Sequence, residues 1–344
     1  MKLGIIGQPG AGKRTVFEAI TGIPNDDTNY QVDDRIGTKP VPDERVDFLS
    51  NMYQPKKTTY AKVEYYLPGS RTTKADSNKD KNAWTTLRNC DAFLHVIRNF
   101  KLYGQEDVSI QQDWMTMEEE MILTDLMSVE KRLERLWQDK QRGKKINEEE
   151  ISLLQTAKEL LEQNIPLRTN LEISQSTLLK GYAFVSSKPI LILLNNEDDD
   201  MTIPDLNFMS NINAMIIRGK LEQELCHMDA QESKEFLEEF QISDSAMDRV
   251  ILASYDLLGL ISFFTVGDDE VKAWTIQSGI QADDAAGVIH TDFKKGFIRA
   301  EVLAYQDLII AGSYPEARKK GTVRLEGKTY QVKDGDIIHF RFNV

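Results

Sequence analysis

Gly7, Gly12 and Lys13 stand at the spacing G-x-x-x-x-G-K, with Gly10 and Ala11 inside the interval. That pattern suits a phosphate chain. Small residues let backbone amides close around the anion, and the lysine ammonium reaches its terminal phosphates. The elements that must hold such a loop are legible on either side of it. Lys2 to Ile6 is an apolar run of strand length, and Val16 to Ile20 begins an amphipathic helix. The next position departs from the pattern. A Ser or Thr hydroxyl there would hold Mg²⁺, but this chain has Arg14, and Thr15 lies about 100° further round the helix. A guanidinium neutralises phosphate charge and cannot ligate a cation. The motif therefore predicts phosphate binding by Gly7, Gly10, Ala11, Gly12, Lys13, Arg14 and Thr15, and supplies no metal ligand.

A second candidate group follows the apolar run Pro189 to Leu194, a buried strand by composition. Asn195-Asn196-Glu197-Asp198 comes next, where a phosphate-loop protein reads the base. An amide there holds the loop or the purine edge, and a carboxylate accepts from guanine N1 and N2; Asn and Asp also simply make turns. Asn195, Asn196 and Asp198 are the base-side candidates. A third expected position is D-x-x-G after the strand Ala61 to Leu67, whose carboxylate serves the metal and whose glycine amide senses the terminal phosphate. The chain reads Tyr66-Leu67-Pro68-Gly69, which has the glycine and no carboxylate. His95, inside the apolar run Cys90 to Ile97, reads as a packed core histidine rather than a catalytic one.

The rest of the chain bounds these readings. At 344 residues it is long enough for two or three domains. A net charge of −13 argues against a broadly basic nucleic-acid binder and leaves room for a local basic face. Cys90 and Cys226 read as reduced cytosolic thiols, since no signal peptide is seen at Met1. No apolar run approaches the roughly 20 residues of a membrane span, so a cytoplasmic protein without a membrane partner is expected.

Between the candidate groups, Pro24 to Lys57 is polar, with one helix expected from Arg45 to Met52 after Pro42-Asp43. Ser70 to Ala83 reads as a solvated loop. Ile122, Leu126, Val129, Leu133 and Leu136 form a heptad seam, broken at Arg142-Gly143-Lys144-Lys145 and resumed by Ile151, Leu154, Ala157 and Leu161. This predicts an antiparallel helical hairpin, either a partner-binding coiled coil or simple packing, with Lys140, Arg142, Lys144 and Lys145 at its tip. Met215 to Ile217 is a candidate last strand of the first sheet, followed by an acidic helix from Leu221 to Phe240. From Gly259 onward, short β-rich runs at Leu260–Thr265, Val271–Ile276, Phe297–Val302, Val323–Leu325 and Ile337–Phe342 enclose one helix near Asp283 to Ile289. Glu326-Gly327 and Asp334-Gly335 are turn signals, the second of hairpin type. A small β-grasp sheet fits. Lys294, Lys295, Arg299, Arg318, Lys319 and Lys320 are either a phosphate-contacting face or solvated cations.

Taken together, these stretches resemble the Obg-like ATPase family of the YchF type. AWTIQSGIQADDAAGVIHTDFKKGFIRAEV and EGKTYQVKDGDIIHFRFNV are similar to that family's C-terminal TGS domain almost residue for residue. SVEKRLERL (Ser128 to Leu136), PKKTTYAKVEYY, CDAFLHVIRNF and PILILLNNEDDD match in order. The resemblance covers essentially the whole chain. It implies an α/β fold: a Ras-like P-loop nucleotide-binding domain over 1–258, with the coiled-coil hairpin inserted at about 112–170, then a β-grasp TGS domain over 259–344. It also implies ATP preferred over GTP and a role around ribosomes or translation stress. The departures fall in the chemistry. The family's G-K-S-T is Gly12-Lys13-Arg14-Thr15, its switch aspartate is missing, and no histidine stands between His95 and His227, where the family carries one thought to aid hydrolysis. Its N-x-x-E is Asn195-Asn196-Glu197-Asp198, which reopens the choice between ATP and GTP.

Two main functions follow as expectations. One is a slow ATPase or GTPase switch with a non-standard metal site. The other is a purine-nucleotide-binding protein with weak or absent hydrolysis, acting through its TGS and coiled-coil surfaces on a ribosome, RNA or protein partner. A third is a loop that takes another phosphate-bearing ligand, such as a tRNA end or an alarmone.

Overall fold

The computed structural model describes residues 1–24, 33–69, 80–101, 109–208, 213–239 and 245–343. Its backbone falls into two compact units, Met1–Thr38 with Glu64–Val250 and Lys39–Val63 with Ile251–Val344. In chain order the elements are β1 (Lys2–Ile6), α1 (Lys13–Thr21), β2 (Arg35–Pro40), α2 (Glu44–Tyr53), β3 (Lys57–Thr59), β4 (Lys62–Leu67), α3 (Asp80–Leu87) and β5 (Ala92–Asn99). The hairpin follows as α4 (Ile110–Gln141) and α5 (Glu148–Glu162), then α6 (Leu171–Ser174), β6 (Ile190–Asn196), β7 (Asn213–Ile217), α7 (Gly219–Leu225), α8 (Ala230–Glu239) and α9 (Ala246–Leu257). The remainder is β8 (Leu260–Thr265), β9 (Glu270–Gln277), α10 (Ala282–Ile289), α11 (Thr291–Lys295), β10 (Phe297–Ala304), α12 (Tyr305–Ala311), α13 (Tyr314–Lys319), β11 (Arg324–Glu326) and β12 (Asp336–Phe342).

The first sheet has the order β2-β4-β1-β5-β6-β7. β4, β1, β5, β6 and β7 run parallel, which puts all their C-terminal ends on one side. Parallel strands are covered on both faces and so read as continuous apolar runs. β6 is buried along its whole length, and β1 along four of its five residues. Trp114, Met117 and Met121 from α4 close one core over Phe93, Ile97, Ile192 and Leu194.

The expected hairpin is present. Ile122, Val129, Leu133 and Leu136 of α4 face Ile151, Leu154, Ala157 and Leu161 of α5 in a core of their own. Gly143, at φ 74°, makes the turn that a side chain would strain. Asn147 restarts the helix by accepting from Glu149 N and Glu150 N.

The second sheet has the order β11-β10-β12-β8-β9-β3, with α10 laying Ala282, Ala285 and Ala286 onto Phe263, Ile276, Val302 and Phe340. Several expectations need correction here. Four helices, not one, accompany the C-terminal strands, because α11, α12 and α13 occupy the connections. Asp334-Gly335 does not join two paired strands. β11 and β12 both pair with β10, and the Asp334 carboxylate instead takes Ser262 N at 2.9 Å and Arg45 Nη1 at 2.6 Å. The polar stretch 24–57 contains β2 and the start of β3 as well as the expected helix, and β3 pairs in parallel with β9. The acidic helix expected from Leu221 is two helices, broken between Leu225 and Ala230. Of the loop expected at Ser70 to Ala83, residues 70–79 lie outside the described residues, and Asp80 onward is helical. Among the described residues, no helix is long and apolar enough to cross a membrane.

Candidate nucleotide site

The glycine loop occupies the C-terminal end of β1, as the sequence predicts. Gly7, Gly10 and Gly12 have φ of 144°, 82° and 91°, values that disfavour any side chain. A Cβ on Gly7 would lie 2.2 Å from the Val96 carbonyl oxygen of β5, so the loop also needs glycine to lie against the neighbouring strand. Gly7→Ala should therefore destabilise the fold by roughly 2–4 kcal/mol, strain and overpacking acting together. A urea titration that returns the wild-type midpoint would contradict this.

Lys13 opens α1. Its ammonium donates to the carbonyls of Gly7 at 2.6 Å and Gln8 at 2.8 Å, which folds the loop around it. Burial, with the Arg14 guanidinium adding to it, brings its pKa down from 10.5 to about 8. Ala11 is buried, while Arg14 is exposed on the first turn of α1 beside half-buried Thr15.

Across the cleft, β6 delivers the second predicted group. Asn195 is buried, donates through Nδ2 to the Ala11 carbonyl at 3.1 Å, and accepts from Gly219 N at 2.9 Å. One amide thus ties the phosphate loop to the start of α7. Gly219 is required there, since a Cβ would lie 2.7 Å from Asn195 Oδ1. Asn196 accepts from Asn99 Nδ2 at 2.9 Å and donates to the Asp200 and Thr202 carbonyls, shaping the following turn. The Asp198 carboxylate accepts from Leu221 N at 3.2 Å, and Glu197 accepts from Lys101 N at 2.8 Å.

The cleft between the two groups has a volume of ~670 Å³, within the range of a small-molecule site. Gly10, Gly12, Lys13, Arg14, Thr15, Asn195, Asn196 and Asp198 line it; Gly7 and Ala11 shape it from behind. Sequence reasoning did not single out three further lining residues, Pro9, Phe100 and Lys220. Phe100 ends the matched segment CDAFLHVIRNF and offers an aromatic face, a signal that was available. Lys220, one residue into α7, carried none.

The two side chains expected to serve a magnesium ion are absent from their positions: the hydroxyl position is Arg14, and the stretch Tyr66 to Gly69 has no carboxylate. His95 is fully buried and stacks on Trp114 at 5.6 Å. Burial first, then Lys13 and Arg168, push its pKa down to about 3, so it stays neutral and does not face the cleft.

The candidate basic face of the C-terminal sheet is largely neutralised locally. Arg318 bonds Glu301 at 2.9 Å, Lys319 bonds Glu316 at 2.6 Å, Lys294 bonds Asp284, and Lys295 lies 3.9 Å from Asp292. At the hairpin tip, Lys140 and Lys144 pair with Glu148 and Asp139, while Arg142 and Lys145 are exposed.

Comparison with known proteins gives a consistent picture. Residues 260–343 match the family model YchF-GTPase_C, described as a protein of unknown function (DUF933). The chain is 37% identical to the ribosome-binding ATPase YchF of Bacillus subtilis (strain 168), over 99% of each chain. It is 35% identical to the ribosome-binding ATPase YchF of Pasteurella multocida (strain Pm70), over 100% of this chain and 99% of the relative. The solved structure of the Schizosaccharomyces pombe YchF GTPase is similar with a TM-score of 0.85 and 28% identity, covering 99% of this chain and 97% of that one.

Proposed function

Because the chain belongs to the YchF-type family of Obg-like ATPases, we propose that it binds a purine nucleotide, ATP or GTP, in the cleft between the glycine loop and the end of β6. The observation that carries this reading is the joint geometry of Lys13 and Asn195. The ammonium is held at the loop carbonyls, and a single amide locks that loop to the base-side elements. In this reading Gly7, Gly10, Ala11, Gly12, Lys13, Arg14 and Thr15 take the phosphates, and Asn195, Asn196 and Asp198 border the base.

Hydrolysis is weak or absent. Phosphoryl transfer needs a cation across the β and γ phosphates and a positioned water. The chain supplies Lys13 and a guanidinium at position 14, but neither expected metal-binding side chain. Arg14 supplies the positive charge that a cation brings elsewhere, so the nucleotide acts as a held ligand rather than a consumed one. The relatives are named ribosome-binding ATPases. By that relationship the chain acts in the cytoplasm on a ribosome, through the C-terminal TGS domain at 259–344 and the hairpin inserted in the nucleotide domain at 1–258.

Calorimetric titration with ATP, GTP and their diphosphates, with and without Mg²⁺, tests this. Binding should be the same with and without the ion, and Arg14→Ser should make the affinity depend on it. A Mg²⁺-dependent wild type would revive the switch-enzyme reading, and no binding at all would remove the nucleotide from the account.

A further inference from the structure

The backbone amide of Gly69, at the C-terminal end of β4, already has an acceptor. Gly69 lies two residues beyond β4, which runs parallel to β1 with Gly4 opposite Tyr66. Both strands end on the same side of the sheet, so Gly7 and Gly69 follow the neighbouring C-terminal ends of β1 and β4. The Gly7 carbonyl is one of the two that hold the Lys13 ammonium. Gly69 is also the glycine of the stretch Tyr66 to Gly69, and in nucleotide switches the amide of the glycine at this strand end senses the terminal phosphate. The acceptor here is Asp34, just ahead of β2, whose Oδ1 lies 2.9 Å from the Gly69 nitrogen. Burial first, and then the Asp34 carboxylate, push the Tyr66 phenol up to about 12.

We propose that Asp34 is a specificity residue for phosphate-chain length: its carboxylate occupies the Gly69 amide in place of a terminal phosphate, so the cleft takes a nucleoside diphosphate in preference to a triphosphate. This rests on the nucleotide reading above. A triphosphate must break the Asp34–Gly69 hydrogen bond and bring its γ-phosphate against a carboxylate, two costs a diphosphate avoids. Both costs are electrostatic and act at hydrogen-bond distance. Asp34 itself is exposed and leads directly into β2, so it can swing aside without disturbing a core.

The test is calorimetric titration of wild type, Asp34→Ala and Asp34→Asn with ADP, ATP, GDP and GTP, each with and without Mg²⁺. Wild type should favour the diphosphate. Asp34→Ala should strengthen triphosphate binding about tenfold and leave diphosphate binding unchanged, the size expected when one charge-assisted hydrogen bond is removed. Asp34→Asn keeps an acceptor and loses the charge, so it should fall between; being isosteric, it keeps the test open if the alanine variant fails to fold. An unchanged triphosphate-to-diphosphate ratio in both variants overturns the inference, as does a wild type that favours the triphosphate. Loss of Mg²⁺-dependent triphosphate affinity in Asp34→Ala would mark Asp34 as a metal ligand and also overturn it. If wild type binds no nucleotide, the proposed function falls, and the inference with it; binding with an unchanged ratio removes the inference alone.

Discussion

Lys13→Ala abolishes nucleotide binding, weakening it by ~100-fold or more. An ammonium that reaches two phosphates makes charge-assisted hydrogen bonds, each worth about 1.5–3 kcal/mol, and the Arg14 guanidinium, which meets the phosphates from its own place on the turn, does not restore them. The fold itself does not need the charge. Burial and Arg14 depress the Lys13 pKa to about 8 from 10.5, so the folded protein holds this proton less firmly than the unfolded chain does. Between pH 8 and 10.5 the unfolded chain therefore binds more protons, and this group makes stability rise with pH across that window. The substitution should remove that rise and leave the folded state intact at neutral pH. Nucleotide affinity should run the opposite way in wild type, falling as pH passes 8 and the ammonium is lost, with proton uptake on binding above that pH. Calorimetry in two buffers of different ionisation enthalpy reads the proton uptake directly. Undiminished affinity in Lys13→Ala would show that the loop does not hold phosphate.

The phosphate loop was legible because its constraints are local. Three glycines and a lysine at fixed spacing, between an apolar run and an amphipathic one, admit few other conformations. The hairpin was legible for a related reason: a heptad seam from Ile122 to Leu136 and its resumption at Ile151 specify two helices and a turn without reference to anything else. What stayed hidden depends on partners distant in sequence. β3 is three residues, Lys57–Thr59, with no apolar alternation, and exists because β9 offers it an edge. Asp334-Gly335 has the composition of a hairpin turn, yet its carboxylate is claimed by Ser262 and Arg45, residues that no local rule connects to it. Within the candidate site the same division holds. Asn195 reads as a base-side residue from its place after a strand, but its double hold on Ala11 and Gly219 is a matter of three segments meeting. Asp34 carries no motif at all, and only the placement of β2 beside β4 brings it to Gly69.

Asp125→Ala should cost about 3–5 kcal/mol of stability, the largest effect expected of any single substitution outside the loop. Asp125 sits in the middle of α4 with no exposed surface. N-terminal to it, Trp114, Met117 and Met121 pack on the first sheet; C-terminal to it, Val129, Leu133 and Leu136 pack in the hairpin seam. The carboxylate lies at the handover. It accepts from Val185 N at 3.0 Å, Ser186 N at 2.7 Å and Ser186 Oγ at 2.7 Å, and Arg88 Nη2 lies 3.8 Å away. Arg88 in turn donates to the Tyr182 carbonyl at 3.0 Å and to Ser128 Oγ at 2.7 Å, and its own carbonyl accepts from Lys188 Nζ at 2.9 Å. A buried carboxylate in a helix costs desolvation, and here it is offset because the segment leading into β6 would otherwise bury two amides without partners. Truncation to alanine strands both amides and a hydroxyl and leaves the Arg88 charge without its carboxylate. Asp125→Asn restores one acceptor oxygen for three donors and should recover part of the loss. The check is a urea titration by circular dichroism, with hydrogen exchange at Val185 and Ser186, which should quicken ahead of β6. A midpoint within experimental scatter of wild type would mean that the hairpin is held to the nucleotide sheet by its apolar contacts alone. The Asp125 bonds would then only decorate the joint.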